Sequence, residues 1–391
     1  MARLTRIIVA VLIVGLLGTA VWLGWRAIAG RDVPPVRSQI VAPAGDATGF
    51  SRARPGRTFS FPSDHGPHPD FQTEWWYYTG NLATEGGRRF GYQLTFFRRA
   101  LKPPTEREER SSAWAAEQVY MAHFAVTDVE GKRHEPFERF SRGAAGLAGA
   151  ESPPYTVWLE DWRVEQVRDD PQAVRMLAAQ DEVAIELHLV DRKGPILQGD
   201  GGYSQKGPDP GNASYYYSQT RLETKGTVRL GDELHYVRGW SWMDHEFSTS
   251  ALAPEQAGWD WFALQLDDGY DLMVFQIRRS DGTVDPFASG SLIGPEGEKQ
   301  SLSLEDFEIG IRSTWQSPHT GAAYPSRWRV TVLDAALDIE IEPYLPDQEL
   351  DVSYAYWEGA VEFQGQRAGQ AVSGEGYVEL TGYSDSMQEQ F

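Results

Sequence analysis

The chain has 391 residues, no cysteine, 39 glycines, 23 prolines, and 14 Trp, 17 Tyr and 17 Phe. The absence of cysteine excludes a disulfide framework, thiolate metal sites, a cysteine nucleophile and a lipid-anchored cysteine. Acidic residues outnumber Lys plus Arg by 56 to 36, a formal charge of −20, and with no basic run this excludes a nucleic-acid binder.

In chain order the first element is residues 7–25, which carry no charge, with Arg3 and Arg6 before them and Arg26 after. As a helix this stretch rises ~28 Å, enough to cross a hydrocarbon core. The two leading arginines stay inside, so the body is expected outside the cytoplasm, anchored in the inner membrane and periplasmic or extracellular. Ala27-Ile28-Ala29 also reads as a signal-peptidase site, so secretion after cleavage near Ala29 is the alternative. Beyond Ala29 the chain holds 33 basic and 56 acidic residues, a charge of −23. Anionic lipid heads repel such a surface, so membrane contact is expected through residues 7–25 alone. Pro34, Pro35, Pro43 and Pro55 with scattered charges make residues 30–57 a linker.

From residue 58 strand signals dominate. Gly86-Gly87 separates the apolar runs 75–82 and 90–98, Gly231-Asp232 separates 220–230 and 234–240, and Asp268-Gly269 separates 259–266 and 270–278. Such dipeptides match the twist of antiparallel hairpins. Residues 326–332 and 337–342 alternate apolar and polar with period two, as half-buried strands do. The best helical candidates are 113–119 and 172–180. The prediction is an all-β protein of two consecutive antiparallel barrels or sandwiches, residues 58–247 and 248–391. The halves are similar in length and aromatic style, without a strict repeat.

Several reactive signatures are missing: no Gly-x-Ser-x-Gly elbow, no P-loop, no dinucleotide fingerprint. His245-Glu246 opens like a zinc-binding His-Glu-x-x-His, but Thr249 occupies the second ligand position, so no metal site is expected. Three clusters remain. His65 and His68 precede Glu74-Trp75-Trp76-Tyr77-Tyr78, in which Trp75 and Tyr77 share a face and Glu74 needs a partner or a raised pKa. Trp240-Ser241-Trp242-Met243-Asp244-His245-Glu246-Phe247 puts Asp244 and Glu246 on one strand face and His245 on the other. A buried carboxyl pair of this kind makes a general acid, or else an ion pair with Arg98 or Arg238. Trp259 and Trp261 form the third cluster, and Tyr215-Tyr216-Tyr217 could be a strand or a pocket wall.

At these residues the chain resembles a known family. Phe61-Pro62-x-Asp64-His65-Gly66, the Glu74–Leu82 string and Trp242–Phe247 are similar to those of AttH-like proteins, which share a lipocalin-like superfamily with carotenoid 1,2-hydratases. The resemblance covers residues 58 to 385 and implies two lipocalin-like β-barrel domains with an apolar ligand site. It places the hydratases' proposed acid on Asp244, their neighbouring tyrosine on Trp242, and their His-x-Trp on Tyr215 and Tyr217. Two functions follow as expectations. One is a cofactor-free hydratase or hydrolase in which Asp244 donates a proton, Glu246 or Glu74 positions water, and Trp242, Trp240, Tyr215, Tyr217, Trp75, Tyr77, His65 and His245 line the ligand. The other is a carrier of a lipid or other apolar molecule, working with an ABC transporter as many relatives are expected to do.

Overall fold

The three dipeptide turns are hairpin turns. Gly87 and Gly269 take φ of 89°, which favours glycine, and they link Thr73–Ala83 to Arg89–Ala100 and Gln256–Leu266 to Asp271–Arg279. The computed structural model describes residues 47–107, 112, 114–249, 252–384 and 387. The apolar stretch at 7–25 and most of the segment read as linker lie outside these residues. The end of that segment packs onto the body, with Ala53 buried and Arg57 bound to Asp64.

Among the described residues all strand pairings are antiparallel, and the strands form two sheets. The first runs from Thr73 to Ser248 and curls into a nearly closed barrel. The second runs from Gln256 to Leu380 as a half-barrel. Both follow one plan: the chain meanders away from the first strand, then returns so that the last strand pairs with the first. In the first sheet Thr73–Ala83 pairs with Glu233–Ser248, and in the second Gln256–Leu266 pairs with Gln370–Leu380.

The period-two segments behave as read. In Ala323–Val332 and Leu337–Pro343, Trp328, Val330, Val332, Leu337, Ile339 and Ile341 are buried while the alternating polar residues face out. Each such buried apolar side chain contributes about 1.5–3 kcal/mol. The two helical expectations fail. Residues 172–180 fall in the strand Asp170–Gln180, and 118–119 open the strand Gln118–Asp128. Ala, Met and Leu favour helix locally, but ladders to both neighbours and burial of Ala173, Met176 and Ala178 outweigh that weak preference.

The strands at the barrel seam are buried on both faces. Trp76 and Tyr78 point into the barrel, whereas Trp75 and Tyr77 point towards the second sheet. Met243 and Trp242 divide in the same way. The sheets meet closely here. A side chain at Gly91 would bring its Cβ to 2.6 Å from that of Ala360. Polar interlocks cross the contact: Asn81 donates to the Gly376 carbonyl at 2.9 Å, and buried Asp271 receives Arg221, Lys193 and Thr220.

Candidate functional site

One strand sends its side chains to two different places. On its barrel side, Glu233–Ser248 contributes His245 to a buried ionic network. Glu74 is the hub of this network. It takes hydrogen bonds from Arg98 at 2.8 Å, from the His68 ring at 2.8 Å and from His245 at 2.9 Å. His68 also bonds Asp64 at 2.9 Å, and Tyr217 lies between His65 at 2.7 Å and His245 at 3.1 Å. Burial alone would raise Glu74, but Arg98, His245 and His68 hold its carboxyl well below the usual range. Burial also pushes His65 down to about 4, helped by His245. His68 is raised instead, because Asp64 and Glu74 overcome the effect of its burial. The ligand atoms of His68, Glu74 and His245 lie within 4.8 Å of one another, as a metal site would need. Here the guanidinium of Arg98 supplies the positive charge, and the ring nitrogens already bond Glu74. The ion pair anticipated for Arg98 is thus with Glu74.

On its other side the same strand contributes Asp244 and Glu246 to a cavity between the two sheets. The cavity measures about 140 Å³, close to the ~150 Å³ that accommodates benzene. Trp75, Tyr77, Phe97, Tyr216, Trp259, Trp261 and Phe275 wall it, and four carboxyls reach it: Asp244, Glu246, Glu358 and Glu379.

Asp244 is 4% exposed and accepts three hydrogen bonds, from Tyr216 at 2.6 Å, Ser218 at 2.6 Å and Trp242 Nε1 at 2.7 Å. Trp261 Nε1 in turn donates to Tyr216 at 3.2 Å. Burial pushes Asp244 up to about 7 against those three bonds, with Glu246 adding to the rise. Glu246 is paired with Lys206 at 3.3 Å, whose ammonium also lies over the Phe275 ring at 4.1 Å. Burial likewise lifts Glu379 to about 7, offset in part by a bond from Trp259 Nε1 at 2.9 Å. Glu358 is raised further, by burial and by the charge of Glu379.

The predicted residues therefore divide. Asp244, Glu246, Trp242, Trp75 and Tyr77 come together at the cavity contact. Glu74, His65, His245 and Tyr217 form the barrel-side network, so Glu74 cannot position water for Asp244. Tyr215 packs with Phe71 and Phe247. Trp240 is 36% exposed, beside Arg221. The tyrosine that reaches Asp244 is Tyr216, the residue between the two expected. A strand exposes alternate residues to each side, and the register pairs Ser218 with Asp244 and Tyr216 with Glu246. Glu358, Glu379 and Lys206 escaped notice. The first two did carry a signal, since each acid is flanked by apolar residues, Trp357 and Gly359 beside Glu358 and Val378 and Leu380 beside Glu379.

The fold has known counterparts. The AttH-like family model matches residues 52–383, and the chain belongs to that family. It is similar to an AttH protein of Nitrosomonas europaea, with 35% identity and a TM-score of 0.75 over 85% of this chain and 100% of the other. It also shares its fold with kievitone hydratase of Nectria haematococca, at 16% identity and a TM-score of 0.64 over 86% of this chain and 96% of the other. Both relatives are lipocalin-like, as is this chain. Among curated proteins, none matches the sequence.

Proposed function

We propose that the inter-sheet cavity is an acid-catalytic site for an apolar, ring- or isoprenoid-like molecule, with a reaction of the hydratase or hydrolase type. One observation carries this reading: Asp244 sits among aromatic rings with its pKa raised to about 7, near that of an efficient general acid at neutral pH. In a hydration the Asp244 proton passes to one alkene carbon and leaves a cation on the other. Water adds to that cation, and its released proton returns the carboxylate to the acid. Glu246, held by Lys206, is placed to orient the water. That a hydratase is built on the same fold agrees with this reading. Asp244→Asn keeps the shape and removes the proton. Turnover is expected to fall about 10²–10⁴-fold with the fold intact. Full activity in that variant, measured across isoprenoids and envelope lipids, would refute the assignment.

A carrier is the second reading, favoured by the resemblance, which sets Trp242, Tyr215 and Tyr217 at the hydratases' tyrosine, histidine and tryptophan positions. In it the body would be tethered outside the cytoplasm through residues 7–25 and would pass an apolar ligand to an ABC transporter. Native mass spectrometry of the full-length protein separates the two. A co-purifying lipid that persists in Asp244→Asn, with no turnover in the wild type, supports the carrier.

A further inference from the structure

Glu358 and Glu379 are direct cross-strand partners. They share the cavity face, and two carboxyls so placed repel when both ionise. Among the described residues lining the cavity, Lys206 is the one cation, and it is paired with Glu246. Glu358 is 1% exposed, yet neither of its carboxyl oxygens has a hydrogen-bond partner among the described residues. The hydroxyls of Tyr77 and Tyr356 approach it without closing a bond of normal geometry, and that of Tyr77 is itself unpaired. A buried carboxyl left in this way is costly, and the cavity that Glu358 lines has room for the missing partner. Aromatic side chains wall the cavity there, Trp259 and Trp261 among them, and an aromatic ring attracts a cation placed over its face.

We propose that the Glu358–Glu379 pair and the tryptophans beside it form a subsite for positive charge. The cavity then selects an organic ammonium, or a substrate that becomes cationic as it reacts, over a neutral molecule of the same shape. This rests on the reading of the cavity as the ligand site and names the charge of what it holds. An N–H of the guest satisfies the unpaired Glu358 oxygens, and the rings supply cation–π attraction.

Binding is linked to protons. With the cavity empty, Asp244 and Glu379 both titrate near neutrality. An arriving cation favours their ionised forms and expels a proton, so affinity rises with pH through that range. The other groups facing the pair are Glu246, Lys206, Tyr77, Tyr216, Tyr354, Tyr356 and Tyr377. The five tyrosines stay neutral, raised well above 10 chiefly by burial.

The test compares two probes of one shape on the full-length protein by calorimetry, the N,N-dimethylbenzylammonium ion and neutral isobutylbenzene. At pH 8 the ammonium is expected to bind at least tenfold more tightly, and near pH 7, where Asp244 and Glu379 still hold protons, its binding is expected to release them. At pH 6 the preference is expected to shrink severalfold. Glu358→Gln and Glu379→Gln should each reduce the preference for the ammonium over isobutylbenzene about tenfold. Equal or stronger binding of isobutylbenzene to the wild type overturns the proposal, and that comparison needs no variant to fold. A preference that survives in both variants also overturns it. If neither probe binds, the cavity is not the ligand site and both readings fall; if only isobutylbenzene binds, the charge selectivity alone falls.

Discussion

Asp244 shows how burial and hydrogen bonding compete at a single side chain. Burial opposes its charge, three donors favour it, and burial prevails, taking the pKa from 3.8 to about 7. That shift is also a statement about stability. Between the unfolded and folded values the native state holds more protons, so stability is expected to fall as pH rises from about 4 to about 7. The full effect is on the order of 4 kcal/mol. Asp244→Asn should remove this share of the slope, leaving the variant equal to wild type near pH 4 and more stable at pH 8. Urea denaturation at both pH values checks this, and an unchanged slope would show that burial does not dominate. Glu74 works in the opposite direction. Its lowered pKa adds stability above its unfolded value, and that contribution is lost on acidification.

At the scale of elements, a strand buried on both faces serves two sites. Thr73–Ala83 gives Glu74 to the barrel network and Trp75 to the cavity, and Glu233–Ser248 divides His245 from Asp244 in the same manner. Charged contacts also tie the two sheets together. Asp271, at the start of Asp271–Arg279, ties the second sheet to the first through Lys193 at 2.7 Å and Arg221 at 2.9 Å. Asp271→Ala leaves two largely buried cations without a counter-charge. The expected loss is about 3–5 kcal/mol, read as a lowered denaturation midpoint. Asp271→Asn should cost less, because it keeps an acceptor for Arg221.

Over the whole molecule, two sheets of one plan are set so that the first-with-last strand pair of each faces the other. The cavity exists only because of that contact, since Asp244 and Glu246 come from one sheet and Glu358 and Glu379 from the other. Gly91 permits the approach. Gly91→Val should push the sheets apart, costing about 1–3 kcal/mol. It should also weaken ligand binding at the cavity, although Gly91 does not line it. A variant with lowered stability and unchanged binding would show that the cavity tolerates a wider separation.

The sequence by itself determined the strands, their hairpin turns and the face shared by Asp244 and Glu246. Those features depend on local chemistry: glycine at positive φ, period-two alternation, and the two-residue repeat of a strand. The first sheet ends at Ser248 and the second begins at Gln256. Only the tertiary structure decided which face each aromatic string presents to which neighbour. In Glu74–Tyr78 and Tyr215–Tyr217 both faces are buried, so apolar content no longer distinguishes inside from outside. The pairing register then selects Tyr216 over Tyr215 and Tyr217, and sends Glu74 to Arg98. Glu358 and Glu379 lie more than a hundred residues beyond Asp244, and no local pattern relates them. Packing one sheet on the other sets these acids around a single cavity, where shared burial lifts the pKa values of Asp244, Glu358 and Glu379 together.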